Sequence, residues 1–195
     1  MTGKVQVGWL LLLITAQTAP AAQKAIDVEH STIRIHVGKS GLFSAAGHEH
    51  WVLAPIAEGT FEEGSPPSLS FRVESRQMKV EEDKSLAASQ QAQVQSTMQT
   101  QVLDSEKYPE IRFHSTSIEP TSQNTWEVRG ELSLHGQTRP VSTTVRKQDN
   151  AYVGQCQIKQ TDFGIQPVRV AGGMVRVKDE LEIQFSVLPA SDTKH

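Results

Sequence analysis

The sequence predicts an all-β domain, because apolar and polar residues alternate along most of it and turn-forming residues separate the alternating segments. The clearest case is 126–145, where Trp126, Val128, Leu132 and Leu134 alternate with polar residues before a His-Gly-Gln turn. A period of two gives an antiparallel sheet one dry face and one wet face. Eight such segments predict a barrel or a sandwich.

The predicted strands follow one another with Gly, Pro, Ser and Asn between them. They lie at 31–37, 50–61, 69–73, 111–117, 126–134, 141–145, 152–158 and 181–187. Their predicted inward, apolar positions are Ile33, Ile35, Val37, Phe71, Val73, Ile111, Phe113, Trp126, Val128, Leu132, Leu134, Leu181, Ile183 and Phe185. Patterning leaves two alternatives open: these side chains either fill a core or line a cavity for one ligand.

One segment departs from the β pattern. Residues 84–102 are rich in Ala, Gln and Ser and carry an apolar stripe at Leu86, Val94, Met98 and Val102. Such spacing predicts one amphipathic helix that covers or flanks the sheet, with Asp83 or Ser85 as its N-cap. The stripe is more typical of packing than of a cofactor site.

The N-terminal segment 1–22 resembles a secretory signal peptide. Lys4 precedes an apolar run at 7–14, and small residues at 19–22 suit a cleavage site. The run is shorter than the roughly 20 residues that a membrane-spanning helix needs. We therefore expect an exported protein without a transmembrane anchor, periplasmic or secreted, whose domain occupies 23–195.

Composition narrows the classes of partner. The net charge is -3, and no basic stripe with interleaved aromatic residues is present, so nucleic acid is an unsuitable partner. The single cysteine, Cys156, alternates with Tyr152 and Ile158 and is expected to be a small buried side chain rather than a reactive thiol. The sequence leaves open whether the protein forms a homodimer.

A His-Glu-His segment is the candidate metal site. In an extended chain His48 and His50 point to the same side and could hold one metal ion, with His30, His36 or His114 as a further donor. The alternative is a polar loop with two solvated histidines. The order is not the His-Glu-x-x-His of metalloproteases. His135 lies in a hairpin turn, where a backbone role is expected.

Several segments together resemble the YceI-like family of exported lipocalin-like proteins. The matching segments, in family order, are IDVEHS at 26–31, VLD at 102–104, YPEIRF at 108–113, GELSLHGQTRPV at 130–141, QTDFGI at 160–165 and VKDEL at 177–181. The segment SAAGHEH at 44–50 departs from the family pattern, which lacks the two histidines there.

The resemblance implies an extended eight-stranded antiparallel lipocalin-like β-barrel with one flanking α-helix and an apolar lumen. It implies a non-enzymatic carrier of an elongated lipid such as a polyisoprenoid, a quinone or a fatty-acid-like molecule, and it carries over no catalytic residues and no required cofactor. The alternative is a metal-binding or redox-linked envelope protein that uses His48 and His50.

Overall fold

The computed structural model describes residues 23–40, 49–62, 64–170 and 175–191. The predicted signal peptide and His48 lie outside these ranges. The described residues form one α-helix and twelve strands: β1 Gln23–Ala25, β2 Thr32–Ser40, β3 His50–Leu53, β4 Ile56–Glu62, β5 Ser68–Glu74, β6 Lys79–Val80, β7 Glu110–Ser122, β8 Thr125–Leu134, β9 Gln137–Gln148, β10 Ala151–Lys159, β11 Arg169–Val170 and β12 Val175–Val187. The predicted all-β class is confirmed.

All the strand pairs are antiparallel and belong to one curled sheet. Its order is β1-β4-β5-β7-β8-β9-β10-β12-β2-β3-β6, with β11 also paired to β12. The strands β3 and β4, near opposite ends of this order, are joined in the chain by Ala54 and Pro55 alone. One bent segment therefore pairs with β2 through its first half and with β5 through its second.

The predicted count of eight strands is wrong for the described residues. The predicted strand at 50–61 is divided at Pro55, which has no backbone N–H to donate to a neighbouring strand. Three short strands, β1, β6 and β11, have two or three residues each and show no periodicity of their own. The alternation of apolar and polar residues identifies long half-buried strands, but a strand of two or three residues is too short to show it.

The hairpin of β8 and β9 is the longest uninterrupted ladder of the sheet. Ten residue pairs run from Thr125 opposite Arg146 to Leu134 opposite Gln137. The turn places His135 at φ 52° and Gly136 at φ 73°, both left-handed. Two such residues make the turn whose twist matches that of paired strands. His135 thus has a backbone role in the hairpin, as its position in the sequence suggests.

The helix is shorter than predicted. The α-helix, α1, covers Ala88–Thr97 and continues as a π-helical turn over Met98–Val102, in which Leu103 N donates to Met98 O at 2.9 Å. Neither Asp83 nor Ser85 caps it, because the Asp83 carboxylate accepts from the backbone and hydroxyl of Ser85 in the preceding turn. The helix starts instead with Ala87 N donating to Gln90 Oε1 at 2.9 Å.

Side-chain amides attach α1 to the edge strand β6. Gln95 accepts from Val80 N at 2.8 Å and donates to Met78 O at 3.0 Å. Gln91 Nε2 donates to Glu81 O at 2.9 Å, and Gln99 Nε2 donates to Met78 O at 3.0 Å. Because residues four apart lie on one helical face, these glutamines supply the hydrogen bonds that a neighbouring strand would otherwise supply.

No helix among the described residues is both long enough and apolar enough to span a bilayer.

Close approach between β7 and β8 depends on Gly130. A Cβ atom there would clash with the His114 carbonyl oxygen and lie 2.5 Å from Phe113 Cζ. The phenyl ring of Phe113 therefore occupies the space that a side chain at position 130 would need.

We predict that Gly130→Ala lowers the free energy of unfolding by about 1–3 kcal/mol, because a rigid backbone oxygen and a ring must both move. The measurement is urea denaturation followed by circular dichroism. Gly38→Ala is the matched control: its Cβ would meet the flexible stem of Lys178 at 3.0 Å, so we expect a loss below about 1 kcal/mol. Equal losses for the two variants would contradict this packing argument.

Candidate ligand-binding cavity

The concave side of the curled sheet encloses a cavity of about 1180 Å³. All fourteen apolar positions named from the sequence line it: Ile33, Ile35, Val37, Phe71, Val73, Ile111, Phe113, Trp126, Val128, Leu132, Leu134, Leu181, Ile183 and Phe185. The pairing register brings them together, since Phe71 lies opposite Phe113 and Phe113 opposite Leu132. Sites for drug-sized ligands typically enclose roughly 300–1,000 Å³, so this cavity has room for a large ligand.

Side chains do not fill the interior. Nine of the fourteen positions are only partly buried although they point inward: Val37, Phe71, Ile111, Phe113, Trp126, Leu132, Leu181, Ile183 and Phe185. In a filled core such residues would be close-packed, at the density of an organic crystal. Of the two alternatives that patterning left open, the structure shows the cavity.

The cavity is elongated. Along β2 its lining runs from Ile33 to Lys39, opposite Phe185 to Val177 of β12, which corresponds to roughly 20 Å of strand at about 3.3 Å per residue. Along β8 it runs from Trp126 to Leu134. An apolar space of this length suits an extended chain better than a compact ring system.

Aromatic side chains gather at one end of the cavity, which we call the aromatic end. Tyr152 lies between Phe61 and Trp126, with ring centroids 5.9 and 5.7 Å away. Both distances fall in the range of favourable aromatic pairs. Glu62 and Ser68, at the tip of the β4–β5 hairpin, also line this end. The aromatic end is therefore mostly apolar with a small polar margin.

Cationic side chains mark the opposite end, which we call the basic end. Lys39 on β2, Arg169 on β11 and Arg176 on β12 all line the cavity there, together with His50 on β3. The strands β2, β11 and β12 meet at this end, since Arg176 lies opposite both Ser40 and Arg169. Lys39 is half-buried, whereas both arginines are exposed.

The helical segment covers part of the cavity. Leu86, Val94, Met98 and Val102, the stripe recognised in the sequence, all line it. Polar side chains accompany them, including Gln90, Gln93, Thr97 and Gln101. Because α1 itself has no fully buried residue and is attached by amide hydrogen bonds, it forms a cover rather than part of a packed core.

Cys156 lies on the cavity wall opposite Ile183 in the β10–β12 ladder. Burial raises the pKa of its thiol to about 11, because the thiolate would lose hydration. The thiol is thus almost entirely protonated at neutral pH and behaves as a small apolar side chain.

None of the three proposed partners of His50 lies beside it on the inner face of the sheet. His50 lines the cavity, whereas His36 points outward, with its ring 4.8 Å from that of Trp51. His114 also points outward and its Nε2 lies 3.3 Å from a Glu131 oxygen. His30 precedes β2 and contacts Asp27 at 2.9 Å. The prediction that one of these three completes a metal site with His50 is wrong.

Metal coordination finds no support elsewhere in the described ranges. Within residues 23–40, 49–62, 64–170 and 175–191, no three His, Cys, Asp or Glu side chains converge on a point that could hold an ion. His48, the other half of the predicted pair, lies outside those ranges.

Several residues that line the cavity were not predicted from the sequence. Lys39 continues the alternating series of Ile33, Ile35 and Val37, so its inward position could have been found. Arg169 and Arg176 carry no such signal, because the two-residue strand β11 has no period and its pairing with β12 depends on the fold. The basic end is therefore a product of tertiary structure.

Sequence comparison identifies the family. The profile of the YceI-like domain matches residues 25–188. A UPF0312 protein of Pseudomonas savastanoi pv. phaseolicola is 29% identical over 139 residues, 66% of this chain and 64% of that protein. A UPF0312 protein of Pseudomonas putida strain W619 is 50% identical over 40 residues, 20% of this chain and 21% of that protein. The chain thus matches less than two thirds of the length of either relative.

Structural comparison agrees with the profile. The crystal structure of Burkholderia cenocepacia BcnA is similar with a TM-score of 0.58 at 18% identity, over 85% of this chain and 99% of that one. A polyisoprenoid binding domain from Saccharophagus degradans is similar with a TM-score of 0.59 at 10% identity, over 88% and 99%. At these identities the likeness concerns the fold. With the profile covering most of the chain, it confirms the resemblance: this protein belongs to the YceI-like family.

Proposed function

We propose that this protein is a non-enzymatic carrier that holds one elongated apolar molecule, such as a polyisoprenoid, a quinone or a fatty-acid-like lipid, in its cavity. The observation that carries the proposal is the unfilled interior of about 1180 Å³, lined by inward apolar residues that remain partly exposed. A cavity of that composition is poorly hydrated, whereas an alkyl or isoprenoid chain would restore the missing van der Waals contacts.

Burial of an apolar chain supplies enough free energy for specific binding. Ten buried methylene groups contribute about 8 kcal/mol before the cost of immobilising the ligand. All fourteen apolar lining positions identified from the sequence take part in this proposal. The Saccharophagus degradans relative is described as polyisoprenoid binding, and its similar fold supports the same ligand class here.

The proposal also includes the location of the protein in the cell. A carrier of membrane lipids is useful in an aqueous compartment between or outside membranes, and the predicted signal peptide at 1–22 would deliver it there. We therefore place the domain at 23–195 in the periplasm or the extracellular medium. Fractionation of the native host with an antibody against the protein would locate it.

The first test compares the lipid content of the wild-type protein with that of a variant whose cavity is smaller. Ile183→Trp enlarges a partly buried inward side chain in the middle of β12 and should reduce co-purified lipid several-fold, as measured by solvent extraction and mass spectrometry. Gln157→Trp adds the same indole on the exposed outer face and should leave the lipid content unchanged. Wild-type protein without any apolar ligand would overturn the proposal.

The second test uses Cys156 as an internal reporter. With a pKa of about 11, only about one thousandth of the thiol is ionised at pH 8, so its alkylation by iodoacetamide, which releases iodide, should be slow and should accelerate as the pH rises. A bound apolar chain should slow alkylation further by covering the cavity wall. The rate is read by intact-protein mass spectrometry.

The control places the thiol on the other face of the same strand. In Cys156→Ala combined with Gln157→Cys, the cysteine is exposed outside the cavity, so the same ligand should give it no protection. Protection at both positions, or at neither, would contradict occupation of the cavity.

A further inference from the structure

The basic end places like charges side by side. Arg169 on β11 and Arg176 on β12 are directly opposite each other in the ladder. Lys39 on β2 lies opposite Val177, the neighbour of Arg176. Three cations from three strands therefore line one rim of the cavity.

The two ends of the cavity differ in charge. All three cations line the basic end. The carboxylate that lines the cavity within the described part of the chain, Glu62, is at the aromatic end, in the last pair of the β4–β5 ladder. An elongated molecule lying in the cavity thus has a positive rim at one end and an acidic and aromatic margin at the other.

We propose that the basic end is a headgroup site for an anionic amphiphile, whose carboxylate or phosphate contacts Lys39, Arg169 and Arg176 while its chain extends toward the aromatic end. This inference rests on the proposed function, because the same cavity must hold the chain. Guanidinium groups bind carboxylate and phosphate oxygens through paired N–H donors, which suits two arginines placed across one ladder.

The position of the cations favours a headgroup over a fully enclosed ligand. Both arginines are exposed at the rim of the cavity, so the anion would keep part of its hydration and avoid the cost of full burial. His50, one strand away from Lys39 on the same inner surface, adds ring nitrogens near the site. The tail supplies affinity, and the cations select the headgroup and its orientation.

The test compares three ligands that share one chain: dodecanoate and dodecyl phosphate below their micelle concentrations, and dodecanol below its solubility limit. Their dissociation constants are measured by displacement of the fluorescent probe N-phenyl-1-naphthylamine at low and high salt. We expect the two anions to bind at least tenfold more tightly than dodecanol at low salt and to lose much of that preference at high salt. The dissociation constants of dodecanoate and dodecyl phosphate, compared with each other, show which headgroup is preferred.

Variants assign the preference to the basic end. Arg169→Gln combined with Arg176→Gln should abolish the preference for anions while dodecanol and the probe still bind, which also shows that the variant is folded. Arg146→Gln combined with Lys159→Gln removes two exposed cations away from the cavity lining and should retain the preference. Lys39→Gln should give an intermediate loss.

The outcomes separate the two proposals. Equal affinities of wild-type protein for all three ligands, or a preference that survives in the Arg169 and Arg176 double variant, would overturn the headgroup site and leave the carrier function standing. Failure of all three ligands and of the probe to bind would overturn the carrier function and the headgroup site together.

Discussion

The bend at Ala54 and Pro55 is the constraint on which the rest of the structure depends. It lets one segment of chain pair with β2 before the bend and with β5 after it, so the sheet curls around a common interior. Because the described strands form one sheet, the inward apolar residues then face a space that the helical segment covers in part, rather than a second sheet. Their large side chains remain partly exposed, and the cavity follows from this geometry rather than from any single residue.

Polar groups determine how the interior is covered. The helix α1 is attached to β6 by Gln91 and Gln95, whose amides pair with backbone atoms of the edge strand and the residues beside it. Such hydrogen bonds contribute only about 0.5–1.5 kcal/mol each and are exchangeable with water. A cover held in this way costs less to displace than one sealed by apolar packing, which is compatible with the entry of a large ligand. The π-helical turn after Thr97 carries Met98 and Val102 onto the cavity wall.

The two ends of the cavity combine different chemistry within one fold. Aromatic rings around Tyr152 form an apolar end, while Lys39, Arg169 and Arg176 form a cationic rim. An amphiphile is the class of molecule that matches both ends at once. Cys156, between them, is protonated and packs as part of the apolar wall, and the histidines do not assemble into a metal site within the described residues.

Alternation by itself determined the β class, the fourteen inward positions and the apolar stripe of the helix, because burial on one face of a strand leaves a period of two in the sequence. The motif resemblance determined the family. The tertiary structure alone decided that the inward residues line a cavity, since filling depends on the distance between opposite walls. It also decided the meeting of Arg169 with Arg176. This meeting depends on the pairing of β11 with β12, which joins residues whose positions along the chain carry no common period.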